Sequence, residues 1–295
     1  MSMAADGEAQ TTAPVRGVPA RPLERHRLGA SFWIALVWTT MVVVLAATAN
    51  LLALRSPIET DFAVISNWPD AAHWFGTDQL GRDIFSRAVF GARISLVVGL
   101  LAPALGLGVG ISLGLAAGYF RGRTESVIVA AMDAIMAFPG ILVVLAVTAY
   151  VGANTAILIS LLGFLTIPAF MRVARANTLV FAEREFVLAA RAMGATHARV
   201  LRLEILPNVI IPMLTYALLV VSRIIVIEGV LSFLGLSVPP PQPTWGNMIA
   251  DAQTDLATLP YIAFIPSALM FLTVLSINLI GERLRARTDF RGSAL

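Results

Sequence analysis

Ile94-Ser-Leu-Val-Val-Gly-Leu-Leu-Ala-Pro-Ala-Leu-Gly-Leu-Gly-Val-Gly-Ile-Ser-Leu-Gly-Leu-Ala-Ala-Gly-Tyr-Phe120 contains no charged side chain over 27 residues. A helix needs roughly 20 apolar residues to cross the hydrocarbon core of a bilayer, so this run is long enough to span. Gly106, Gly110, Gly114 and Gly118 recur every fourth residue and therefore line one face. A face without side chains lets a second backbone come close. The same packing serves a helix of this chain or another subunit; a partner within the chain is the expectation.

Five further apolar runs follow the same rule: Ser31–Leu54, Ala134–Val151, Ala156–Met171, Ile205–Leu236 and Leu256–Gly281. The fold class is thus an all-α integral membrane protein with about six transmembrane helices. Composition agrees, with 58% hydrophobic and 13% charged residues, where a water-facing domain has about a quarter charged. Residues 31–281 form the transmembrane domain. Residues 1–30 form a largely disordered cytoplasmic tail, polar and without a signal-peptide core, and residues 282–295 form a second tail.

All 21 basic residues are arginine, and their distribution orients the chain. With the N-terminus inside, sixteen fall on the cytoplasmic side, four (Arg55, Arg82, Arg87, Arg93) outside, and Arg223 within a span. This is a positive-inside bias, and it puts both termini in the cytoplasm. It also explains the basic pI better than nucleic-acid binding does, so no nucleic-acid partner is expected. Without lysine there is no standard phosphate-binding P-loop. Without cysteine there is no thiolate metal site or thiol nucleophile. His26, His73 and His197 all lie outside the spans, so no buried catalytic triad or zinc site is built from them. No catalytic residue and no cofactor is assigned to the chain.

Three segments carry specific patterns. The cytoplasmic loop 181–208 reads as a helix (Ala182–Met193), a break at Gly194 suited to a left-handed position, a short helix capped by Thr196, and Pro207. Phe186, Ala189, Ala190 and Met193 fall on one stripe, edged by Arg184, Arg191, Arg199 and Arg202. The stripe suits either a groove on another protein or the membrane surface. The outer loop 55–92 contains Gly76-Thr77-Asp78-x-x-Gly81-Arg82-Asp83, where turns at the glycines and local ion pairs are expected. A metal site from His73, Asp78 and Asp83 has too few ligands to be preferred. The outer loop 237–257 follows Ser232-Phe-Leu-Gly-Leu and holds a proline run ending in Trp245-Gly246.

Asp133, Arg223 and Glu228 are ionisable groups at or inside spans, where charge is expensive and faces a cavity or a partner. Arg223 and Glu228 stand about 140° apart around a helix and do not pair. Glu228, with Arg223 and Ser232, is expected either to line a path or gate, meeting a cationic cargo group, or to brace the bundle. Asp133 is expected to pair with Arg121 or Arg123.

Ala189-Ala190-x-x-x-Gly194 with Leu206-Pro207 resembles the "EAA" coupling motif of bacterial ABC importer permeases, although Leu188 stands where the motif often has Glu. With the GTDxxGRD and SFLGLxxPPPxPxWG patterns, about three-quarters of the chain resembles the C-type permease of dipeptide, oligopeptide and nickel importers. The resemblance implies a type I ABC importer permease fold in the bacterial inner membrane. It also implies a heterodimer with a second permease, two cytoplasmic ATPases carrying ATP and magnesium, an external solute-binding protein, and a peptide substrate. Nickel or another small solute is the alternative cargo. An ion-coupled secondary transporter is the alternative mechanism, but neither internal repeats nor a carboxylate relay is found.

Overall fold

A computed structural model describes residues 29–292, with side chains through 286. Residues 1–28 of the expected 1–30 tail, with its four arginines (Arg16, Arg21, Arg25, Arg27), lie outside the described residues, as do the side chains of Arg287 and Arg291. The described part is helical. Its elements are α1 (Ala30–Thr48), α2 (Ile84–Phe120), α3 (Gly122–Met136), α4 (Gly140–Val151) and α5 (Thr155–Ala182). They continue with α6 (Glu185–Ala192), α7 (His197–Arg199), α8 (Leu206–Phe233), α9 (Trp245–Asp251) and α10 (Pro260–Gly292).

Among the described residues five helices are long and apolar enough to cross a membrane, and the bent pair α3–α4 brings the number to six if it counts as one span. The third expected span, Ala134–Val151, is not one helix. It breaks at Ala137-Phe138-Pro139, and α3 and α4 meet at 71°. Pro139 has no N–H to continue the ladder and disfavours helix at the residue before it. Pro103, Pro168, Pro212 and Pro266 instead stay inside continuous helices. Other ends also shift. The first span stops at Thr48, short of Leu54. The second begins ten residues early because Asp83 caps it, accepting from Ser86 N at 2.8 Å. The fourth extends to Ala182.

The glycine face of α2 packs within the chain, against α5, in the most extensive helix–helix contact of the molecule. A Cβ at Gly110 would stand 2.5 Å from Phe170 Cβ, one at Gly114 2.5 Å from Ala174 Cβ, and one at Gly118 2.8 Å from Thr178 Cβ. Only hydrogen fits there. Around this seam lies the main core, with Phe170, Leu158, Val98, Val209 and Met213 fully enclosed. A second cluster joins α1, α2, α8 and α10 through Val42, Ala92, Ile225 and Ile277. Trp38 Nε1 donates across it to Thr273 Oγ1 at 3.2 Å.

The seam is testable. Gly110→Val forces two backbones apart, and overpacking of this kind costs about 1–3 kcal/mol. A marked fall in thermal stability of the detergent-purified protein is expected. Gly108→Ala, where a Cβ meets nothing within 4 Å, is expected to leave stability unchanged or slightly raised.

Candidate functional site

Three groups of residues occupy three levels of the bundle. At the end that the arginine bias puts inside, α6 follows α5 after a tight turn. Val187 and Ala190 point into the body and are buried, while Phe186, Leu188 and Met193 are exposed, Met193 by 83%. The expected stripe is therefore divided. Phe186, Ala189 and Met193 face outward, but Ala190 shares a face with Val187, three residues before it, and anchors the helix. Gly194 follows at φ +82° with open space around it, and the Thr196 side chain caps α7.

The loop is also tied to the end of α2. Arg191 lies over the Tyr119 ring at 4.6 Å, and Tyr119 Oη is 2.9 Å from His197 Nδ1. A cation over an aromatic face is attracted by the ring quadrupole. Arg191 is thus engaged within the chain while remaining exposed. Nor does Pro207 break the chain into two helices. Residues His197 to Phe233 run on as one 37-residue helix, with a π turn at Val200–Ile205 where Leu206 N–H reaches back to Leu201 O. A proline ring clashes with the carbonyl four residues earlier, and a wider turn accommodates it.

The α3–α5 contacts correct one expected pair. Asp133 meets Arg172 at 2.6 Å, not Arg121 or Arg123, and Arg121 reaches Glu183 at 2.6 Å. Glu125 pairs with Arg175. Because α3 lies against α5, its acids find the arginines there rather than those of the preceding turn.

At the opposite end the two outer patterns form one cap. Asp78 Oδ2 receives Arg82 Nε at 2.7 Å, and His73 Nδ1 is 3.0 Å from Asp83 Oδ1. Among the described residues no three His, Asp or Glu side chains gather as a metal site; these groups pair locally. Gly76 and Gly81 adopt φ +77° and +72°, and a Cβ at Gly81 would strike Asp61 O at 1.8 Å. Thr77 bridges to Asp83 and donates to Val64 O.

Arg82 and Arg87, both buried, also reach Asp251 at the end of α9, at 3.4 and 3.6 Å. Trp245 is buried and donates from Nε1 to Ala88 O at 3.0 Å. Gly246 lets α9 lie on α8, since a Cβ would come within 2.5 Å of Ser232 Cβ. Asp251, 169 residues from Arg82, is the keystone that sequence reasoning missed. Its only signal was an acid in a loop without basic residues.

Between these ends, α8 carries the two intramembrane charges in opposite settings. Glu228 is fully buried and lines none of the three hollows along α8. Its carboxyl accepts from Ser95 at 2.9 Å, and from Ser232 and Ser237 at 3.0 Å each. Ser232 in turn meets Thr244 at 2.7 Å. The arrangement fits a brace tying α8 to α2 and to the α9 cap, and it does not fit a group meeting cargo. Arg223 is exposed and borders two of these hollows, of about 530 and 490 Å³.

The family model described as "Binding-protein-dependent transport system inner membrane component" matches residues 110–291. The chain belongs to this family. It is 40% identical over 229 residues, 78% of this chain and 76% of the relative, to the "Glutathione transport system permease protein GsiD" of Pectobacterium atrosepticum. It is 39% identical over the same share to the protein of that name from Escherichia coli. Its fold is similar to that of the MetNI methionine ABC transporter in an inward-facing conformation (TM-score 0.57, 18% identity, 68% of this chain and 96% of that one). An amino acid ABC transporter gives TM-score 0.53 at 17% identity, over 69% and 94%.

This permease is therefore a multi-pass subunit of a bacterial inner-membrane ABC importer. ATP hydrolysis belongs to a separate subunit, and a binding protein is among its kinds of partner. Its Glu228 brace makes a stability prediction. Glu228→Leu leaves three hydroxyls without their acceptor, each costing about 1–3 kcal/mol, whereas Glu228→Gln keeps an acceptor. Thermal unfolding of the purified permease is expected to show a large loss for the first and a smaller one for the second.

Proposed function

We propose that this permease forms half of a translocation path for di- or oligopeptides. In this reading a solute-binding protein delivers the cargo at the face around 55–92 and 237–257. A second, related permease supplies the other half. Two cytoplasmic ATPases, binding ATP and magnesium, act on loop 181–208. The residues that meet an ATPase groove are Phe186, Ala189 and Met193, with Gly194 giving the turn, Ala190 holding the loop to the body and Pro207 standing at the start of α8.

The observation that carries the reading is the outward apolar face of α6, with Met193 83% and Phe186 41% exposed at the arginine-rich end. Apolar side chains thrust out beside a short helix mark an interaction surface. Behind them Val187, Ala190 and Val200 belong to the main core, so force on the loop reaches α2, α5 and α8 without slack. The peptide cargo is supported by relatives named for glutathione, itself a small peptide.

The complex with its partners, reconstituted in vesicles, is expected to take up peptides only with ATP present. Uptake driven by a proton gradient without the ATPases would reject the reading, and uptake of nickel but not peptides would reject the cargo. Met193→Arg combined with Phe186→Glu leaves the buried face of α6 intact. It is expected to lower coupled uptake at least tenfold while the permease remains folded. Undiminished uptake by this variant would reject the docking role.

A further inference from the structure

Arg223 is the one ionisable side chain, apart from the Tyr216 phenol, on the walls of two of the hollows beside α8. The larger cavity lies between the α3–α4 break, α5 and α8, and is walled by Met136, Phe138, Val144 and Ile227 among others. The smaller one opens toward Val274 and Asn278 of α10. Arg223 stands ten residues before the end of α8 at Phe233, about 15 Å down the helix axis, well inside the apolar zone.

Among the described residues no acid pairs with it. Glu228 is enclosed by hydroxyls on another side of the helix, Asp133 is held by Arg172, and Glu125 by Arg175. An exposed guanidinium at this depth is costly against lipid and persists where it faces a water-filled path or an anion. In such an apolar setting its attraction for a carboxylate is much stronger than in water, and its planar fork suits two-point contact with one.

We infer that Arg223 is the cargo-recognition residue of this permease and binds a free carboxylate of the passing peptide. The inference rests on the peptide-importer reading and sharpens it, since a peptide's acidic end, not its amino end, meets the charge that α8 presents. The largely apolar walls of the larger hollow accept side chains of varied shape, Ser222 and Asn278 line the smaller one, and the carboxylate gives the shared handle. Lys keeps the charge but not the fork, so it is a partial substitute.

The test uses the complete complex in vesicles. ATP-driven uptake of a peptide with a free C-terminal carboxylate is compared with that of the same peptide as its C-terminal amide, for wild type, Arg223→Gln and Arg223→Lys. Loss of a charge-assisted contact predicts a rise in KM on the order of 10- to 100-fold for the free acid with Arg223→Gln. Arg223→Lys should fall between, and uptake of the amide should change by less than about twofold with either variant. A role in packing or subunit assembly would lower both peptides alike, and a lipid-facing role would alter neither; either result overturns the inference while leaving the importer reading in place. Wild-type transport of neither peptide rejects the peptide reading and this inference with it.

Discussion

The permease depends on two helix backbones lying closer together than side chains allow. In a bilayer, helices gain little by hiding apolar surface from one another, because lipid is as apolar as they are. Dispersion and close fit must hold them instead. The glycines of α2 meet Phe170, Ala174 and Thr178 of α5 at distances where a single methyl group would collide. Once that pair is fixed, α8 packs across it, α3 is pinned to α5 by two ion pairs, and α6 is seated beneath.

The outer cap obeys a different economy. Arg82 and Arg87 are buried charges, costly unless fully paired, and Asp78 and Asp251 complete them across a large separation in sequence. Trp245 closes on the Ala88 carbonyl beside them. Glu228 connects this cap to the membrane level through Ser237 and Ser232. The cap and the upper half of α8 are thus one polar-stitched unit, and removing any one partner strands the others in an apolar setting.

Hydropathy alone made most of the architecture legible: the all-helical class and five to six apolar spans among the described residues. The four-residue glycine period announced a close backbone approach, and Gly194, Thr196 and the Asp78–Arg82 pair were legible because their interactions are local. What escaped was set by distance. No single sequence says that Asp251 meets Arg82, or that Ser95 reaches Glu228. Ala190 was misplaced because a helical stripe of small and large residues does not reveal which edge the body covers. The break at Pro139 hid because apolar residues continue on both sides of it, and a hydropathy window sees composition rather than direction.

The bent pair α3–α4 has a further consequence for the protein's surroundings. α4 has 12 residues, about 18 Å of helix, against a hydrocarbon thickness of about 30 Å. A helix this short does not cross alone, and its turn at Phe138 and Pro139 borders the hollow beside α8; within a bilayer, open backbone carbonyls at such a turn are tolerated only where water or protein meets them. A turn held at that depth takes water or another protein as its solvent. The molecule is accordingly asymmetric in its demands, greasy and self-sufficient around α1 but incomplete beside α4, and lipid alone is an unsuitable neighbour there.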